Sequence, residues 1–409
     1  MLIVLLAASL CEGASAQLPR VQVPALPGVV PALPEATRAV GGTVRELTGA
    51  RALRVNRLFV ENRAQLDRDP RGELVVRAEV VAIDITQPAL DQAVAEKFSV
   101  RRVEELADLG VKITILQTPE GMSAARGLKR LRKLDPEGTY DFNHVYLDSG
   151  EIGAGRLRSV ADDPAGDTTP AAAGRAGLID GGVDSAHQVL KKTRVQRFGC
   201  AGAVVPSAHG TAVASILLSR GTISELFAAD VYCGEPAGGA VDAVAAAFSW
   251  MAREKVAVIN VSLVGPRNAL LERVVGALVA RGHVIVAAVG NDGPASPPLY
   301  PAAYEGVIGV TGVDAKHRVL IEACRGKQVD FAALGAEVSA AAGAPDQFAA
   351  VRGTSFAAPL VAAMLAELRA PDAGLRTEML GRLSAAAEDL GKPGRDDIYG
   401  AGELGSAYK

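Results

Sequence analysis

Between Glu73 and Leu147 apolar and polar residues alternate in short, readable patterns. LVVRAEVVAI (74–83) is strand-like, and PALDQAVAEKF (88–98) places Leu90, Val94 and Phe98 four apart, the spacing of one helix face. SVRRVEEL and VKITILQ read as two strands separated by a loop ending at Gly110. In the second, Val111, Ile113 and Ile115 alternate with Lys112 and Thr114, as in a half-buried strand. SAARGLKRLRKL (123–134) predicts a helix capped by Ser123, with Leu128, Leu131 and Leu134 on one stripe. TYDFNHVYL (139–147) closes with a strand. The order β-α-β-β-α-β is the split βαβ, or ferredoxin-like, α+β arrangement, which many functions share.

Beyond residue 174 the pattern changes. HGTAVASILL and VDAVAAAFSWMA read as helices. AGLI, VAVINVSL, HVIVAAV and VIGVTGV are continuous apolar strands, and such strands separated by helices indicate a parallel sheet covered on both faces. The second part is therefore α/β, with a doubly wound and mostly parallel sheet. Residues 148–174, rich in Gly, Pro, Ala, Asp and Thr, predict a flexible connector open to cleavage. Upstream, 17–72 begins with the Pro-rich near-repeat VPALPGVVPALPE, expected to be extended and poorly ordered, and continues into a mixed stretch with some helical pattern.

A length of 409 residues suits two domains. With 43 basic and 46 acidic residues, nothing points to nucleic acid or to an anionic membrane surface. The chain starts MLIVLLAASLCEGASAQLP, where an apolar run from Leu2 to Leu10 precedes the small-x-small signal Ala14-Ser15-Ala16. That run is about half of the ~20 residues a span needs, so residues 1–16 read as a secretory signal peptide rather than a membrane anchor. It departs from the usual pattern in lacking Lys or Arg before the apolar core. A lipoprotein reading through Cys11 is weaker, because Leu10 stands where a small residue is expected. The expected location is secreted or periplasmic.

Export leaves Cys200, Cys233 and Cys324, enough for one disulfide and one free thiol. Cys200 and Cys233 flank one short region and are the favoured pair; the alternative is three small buried residues. His144, His187, His283 and His317 show no metal-ligand spacing, so neither metal nor cofactor is expected. No GxSxG is present, which disfavours an α/β-hydrolase esterase.

Three polar residues of the second part stand where the pattern changes. Asp180 ends the strand AGLI, His209 opens a helix, and Ser355 opens the last strong helix in VRGTSFAAPLVAAML. Ligand sites of open parallel sheets gather at such places, and Asp, His and Ser together form a proton relay. Singly, each residue reads as a turn, a packed histidine or a helix cap.

The surrounding wording resembles subtilisin-like serine peptidases. GLIDGGVD, AHGTAVAS, VINVSLVGP, VIVAAVGNDGP, YPAAY and GTSFAAP occur in that family's order and cover most of residues 175–370; DLGKPGRDDIYGAGEL resembles its C-terminal end. The resemblance implies Ser355 as nucleophile, His209 as general base and acid, Asp180 as the residue fixing the His209 tautomer, and Asn291 as an oxyanion donor beside the Ser355 N–H. It also implies that Ser262, Leu263 and Val264 pair with a substrate backbone and that Ala288, Val289 and Gly290 wall the pocket for the residue before the cut. Departures are Val264 where Gly is frequent, Val289 adding bulk to the wall, and Leu334 where Pro is common. The short loop LLSRGTISEL lacks calcium-binding side chains.

By the same resemblance, 73–147 is a propeptide-like domain that inhibits its own peptidase domain, 175–409, through its C-terminal tail. The expected activity is an exported endopeptidase acting on polypeptide substrates and made as a self-processing zymogen. Two alternatives stay open: a catalytically dead member of the fold, and a protein that processes only itself and then serves as a binding module.

Overall fold

The structure, a computed structural model, describes residues 51–148, 150–152, 158–159, 174–366 and 373–405. The expected signal peptide, the Pro-rich repeat and most of the connector lie outside these residues.

The N-terminal layer opens with helix α1 (described over 51–61), followed by β1 (Leu66–Arg68) and β2 (Leu74–Ile83). Then come α2 (Gln87–Ala95), β3 (Ser99–Leu106), β4 (Val111–Gln117), α3 (Ala124–Leu134) and β5 (Thr139–His144). The sheet is antiparallel, with β2 paired to β4 on one side and to β5 on the other. Alternation along β2 explains the unbroken apolar run of its end, Val80–Ile83. Val80 and Ala82 join a core with Leu128 and Leu131 of α3, while Val81 and Ile83 face the larger body, packing in one cluster with α5 and α6 introduced below. Val111, Ile113 and Ile115 join that second face, and Thr114 and Leu116 are buried as well. The end of β4 is thus buried on both faces rather than half-buried.

Helix α2 corrects one expectation. Its buried residues are Ala89 and Ala93, whereas Val94 is 52% exposed. The helix stops at Ala95 and the chain turns through Lys97 at φ 69° before Phe98 enters the core from outside the helix. A four-residue spacing that runs across a helix end marks no common face.

The strand expected over 139–147 is split. After β5, the Val145 N–H still binds Leu74 O, but Tyr146 N–H binds Gly239 O, and Leu147–Asp148 form β6 in a different sheet. Short backbone strands β7 (Glu151–Ile152) and β8 (Arg158–Ser159) follow within the expected flexible connector.

The larger body contains β9 (Gly174–Asp180), β10 (Arg194–Phe198), α4 (Ala208–Leu218), β11 (Ile223–Asp230), α5 (Val241–Arg253), β12 (Val258–Val261), β13 (Leu263–Val264), α6 (Ala269–Ala280) and β14 (Val284–Ala288). It ends with β15 (Ile308–Val313), β16 (Phe331–Leu334), β17 (Ala336–Ala341), β18 (Gln347–Arg352), α7 (Thr354–Leu365) and α8 (Ala373–Ala386). Its central sheet has seven parallel strands in the order β10-β11-β9-β12-β14-β15-β16. Neighbouring residues point to opposite faces: Leu178, Val258 and Val286 pack toward α4 and α7, and Ile179, Ile259 and Ile285 toward α5 and α6. This is the doubly wound arrangement expected. Strand order reverses between β9 and β12, and in such sheets the crevice beyond that point is where ligands bind. β17 and β18 form an antiparallel hairpin, and β18 also pairs with β7 and β8.

Candidate active site

Asp180 is the last residue of β9, at the reversal of strand order, and is 1% exposed. Its Oδ1 accepts from the Gly181 N–H at 2.7 Å and faces His209 Nδ1 at 2.9 Å. His209 lies in the first turn of α4, whose cap Ser207 accepts from Gly210 N–H, and its ring packs on Phe356 with centroids 5.3 Å apart. With Nδ1 donating to Asp180, Nε2 is left as the proton acceptor, and among the described residues it has no hydrogen-bond partner. Burial works to lower the His209 pKa, but the Asp180 carboxylate raises it further, so it stands above the ordinary imidazole range. Burial pushes up the Asp180 carboxyl, against the pull of His209.

Ser355 is the second residue of α7 and fully buried. Its Oγ donates to the Ser262 carbonyl at 3.3 Å rather than to His209. Ser262 Oγ in turn donates to the Ser355 carbonyl at 2.9 Å and accepts from Asn260 Nδ2 at 3.0 Å, tying β13 to the start of α7. Asn291 Oδ1 accepts from the Thr354 N–H at 3.1 Å. That contact fixes the amide against the helix N-terminus and leaves Nδ2 as its donor, beside backbone N–H groups that favour negative charge. All four residues singled out in the sequence thus meet around one point, with the His209–Ser355 hydrogen bond not made; catalytic hydrogen bonds often tighten only in the complex.

The chain's own residues 145–148 and Gly150 lie at this point. Val145 bridges Ala240, Tyr146 N–H binds Gly239 O at 2.8 Å, and Leu147 and Asp148 pair antiparallel with Val264 and Leu263. The tail is therefore the middle strand between 239–240 and 263–264. Beyond it, a Cβ placed on Gly150 would lie 3.2 Å from His209 Nε2 and 2.5 Å from the Phe356 ring, so the backbone passes directly against the relay.

The family model described as the subtilase family matches residues 176–402, more than half of the chain. This chain belongs to the subtilase family of serine endopeptidases. It is 29% identical over 204 residues to the minor extracellular protease Epr of Bacillus subtilis, a match covering 47% of this chain and 32% of that protein. To subtilisin DY of Bacillus licheniformis it is 28% identical over 233 residues, covering 53% of this chain and 84% of that one. Its fold resembles that of fervidolysin from Fervidobacterium pennivorans, with a TM-score of 0.65 at 18% identity, over 81% of this chain and 60% of the other.

Several features of this subtilase were not singled out in the sequence. Tyr146 is fully buried, donating its phenol proton to Pro266 O at 2.6 Å. Its ring lies so close to Gly265 that a Cβ there would be 2.6 Å from a ring carbon. Tyr304 and Tyr300, with ring centroids 4.4 Å apart, belong to the same core cluster. The opposite rim, Gly239–Ala240, was signalled only by the glycine pair in EPAGGAVD. Asp148 is ion-paired with Arg54 of α1. Burial tends to raise the Asp148 pKa, but His209 and Arg54 hold it below the ordinary carboxylate range.

The proposed pocket wall is accounted for differently by each residue. Ala288 and Val289 are fully buried, Val289 in a cluster with Leu299 and Cys324. Gly290 N–H binds Thr354 Oγ1 at 3.2 Å. Cys200 and Cys233 form a disulfide. They and Asp230 are the group of potential metal ligands found among the described residues, and their sulfurs are used by that bond. Among the described residues no helix is long and apolar enough to cross a membrane.

Proposed function

We propose that this subtilase is an exported endopeptidase made as a self-inhibited precursor, which cuts its own backbone between Ser149 and Gly150 and then hydrolyses other polypeptides through an acyl-enzyme on Ser355. The observation carrying this reading is the course of 145–148 and the place of Gly150. Asp148 is still strand-paired with Leu263, and Gly150 already lies against His209 and Phe356. The bond proposed to break is therefore the one that follows the last strand-paired residue and precedes Gly150.

In the proposed sequence, Ser355 Oγ turns from the Ser262 carbonyl to His209 and attacks the carbonyl carbon, its proton passing to Nε2. Asp180 keeps the imidazole in the required tautomer and stabilises the imidazolium. Negative charge on the carbonyl oxygen meets Asn291 Nδ2 and the Ser355 N–H. His209 gives its proton to the Gly150 nitrogen as the C–N bond breaks, and a water deprotonated by His209 then hydrolyses the ester. Ser262, Leu263 and Val264 would bind later substrates as they bind the tail, by backbone pairing that carries little sequence preference. The N-terminal layer acts as the intramolecular inhibitor. No step calls for a cofactor.

The test compares the full wild-type chain with Ser355→Ala by mass. The wild type should yield a fragment ending at Ser149 and degrade casein once that fragment is gone, and Ser355→Ala should stay intact. Equal cutting in both would overturn self-processing; cutting without casein hydrolysis would favour a protein that processes only itself. Asn291→Ala should lower kcat by about 10²–10³, a magnitude established for the corresponding donor in this family.

A further inference from the structure

We propose that helix α1 is a second inhibitory element, a strap that holds the cut tail in the cleft, so that release of active enzyme is governed by α1 and not by the cleavage itself. This goes beyond self-processing and rests on it.

Side chains alternate along the tail, so one set faces the enzyme and the other faces away. Tyr146 enters the enzyme core, while Val145 and Leu147 form a separate cluster with Val55, Leu66 and Leu74, against which Leu58, Phe59 and Ala237 pack. Val55, Leu58 and Phe59 are on α1, and Ala237 belongs to the peptidase body. Leu147 is consequently 3% exposed although it lies outside the enzyme core that takes Tyr146. A strand lying on an enzyme surface would leave that side wet; here the helix closes over it.

Two arginines fasten the strap at both sides of the cleft. Arg54 ion-pairs with the Asp148 carboxylate and donates Nη1 to the Asp148 carbonyl at 3.2 Å. One helical turn earlier, Arg51 bridges Glu73 of the N-terminal layer at 2.6 Å and Asp292 at 3.1 Å. Asp292 follows the oxyanion residue Asn291, so Arg51 is anchored to the catalytic loop itself. Arg54 also borders a cavity of about 350 Å³ lined by Asp148, Asp180, Asp230 and His209. Among the described residues lining it, Arg54 alone carries a permanent positive charge. Without it, His209 alone would offset the Asp148 carboxylate in a cavity that Asp180 and Asp230 also line, which disfavours a seated tail.

None of these contacts involves the bond proposed to break. After cleavage they persist, and the new chain end stays where a substrate must bind. The full wild-type chain should therefore show two separate events: appearance of the fragment ending at Ser149, and, later, hydrolysis of an added peptide. Arg54→Ala and Arg51→Ala should each shorten the lag between them by about tenfold or more, about 1.4 kcal/mol of holding free energy. Phe59→Ala, which loosens α1 through its apolar side, should act in the same direction. In an Asp148→Asn background, Arg54→Ala should shorten the lag clearly less than it does in the wild type, because the ion pair is gone and only the hydrogen bond to the Asp148 carbonyl is left to lose. A general loss of inhibitor stability would leave that second difference intact. Lags unchanged in all three variants, with cleavage normal, would overturn the strap. Failure of the wild type to cut would instead sink the self-processing reading.

Discussion

The phenol of Tyr146 reaches the Pro266 carbonyl at 2.6 Å in a pocket where the tyrosine is fully buried. Under the proposed self-processing, once the tail departs the same carbonyl would face whatever side chain replaces it, three residues before the one whose carbonyl is attacked. A buried acceptor left unpaired costs about 1–3 kcal/mol. Peptides carrying Tyr at that position should thus be cut with a kcat/KM about tenfold or more above their Phe counterparts, measured on a matched fluorogenic pair. Equal values would mean that the pocket reads shape alone. The four residues proposed as catalytic were legible because each lies inside a local run of characteristic wording, GLIDGGVD, AHGTAVAS, VGNDG and GTSFAAP. Tyr146 was not legible, because its partners Gly265, Pro266 and Tyr304 are more than a hundred positions away and only the register of β6 on β13 brings them together.

At the level of elements, the turn joining β1 to β2 is organised by one carboxylate. Asp69 Oδ1 accepts from the Arg71 and Glu73 N–H groups at 2.8 and 2.9 Å, and Oδ2 faces His144 Nε2 at 3.4 Å. Burial opposes ionisation, but the His144 hydrogen bond and the two backbone donors win, holding the carboxyl down at about 2. A folded-state pKa below the ordinary ~3.9 stabilises the fold above that value, and the benefit is lost as pH falls toward 2. In the uncut Ser355→Ala chain, Asp69→Asn should therefore cost about 2 kcal/mol at pH 7. The two should converge between pH 4 and 2 in urea unfolding; a gap persisting at pH 2 would assign the stability to something other than ionisation. Element type was readable here where a pattern lay within one element, as in α3 with its Ser123 cap. It failed where tertiary contacts decided the ends. The Leu90–Val94–Phe98 spacing crossed the end of α2, and the strand expected through Leu147 broke at Val145 because Gly239 offered Tyr146 a better partner than β2 did.

For the whole molecule, the N-terminal layer adheres through two kinds of contact that should be separable. One is the strap over the tail. The other is the face of its sheet, where Val81, Ile83, Ile113 and Ile115 join the core of α5 and α6. Asp141 Oδ2 accepts from the Ala269 N–H at 2.8 Å at the start of α6, whose cap Asn268 donates to the Phe142 carbonyl and to His144 Nδ1 at 2.9 Å. A carboxylate at a helix N-terminus is favoured by the dipole, and a charge-assisted hydrogen bond adds about 1.5–3 kcal/mol. Asp141→Ala should then speed loss of the cut N-terminal fragment by about tenfold. The separated peptidase should keep its kcat/KM, since Asp141 leaves with the fragment. Asp141 and Arg54 share no partner in these contacts, so the effects of Asp141→Ala and Arg54→Ala on the release rate should multiply. Multiplication would establish two independent anchors. A double variant no faster than either single one would mean that the layer and the strap let go as one unit, and that α1 is an extension of the sheet's docking face rather than a latch of its own.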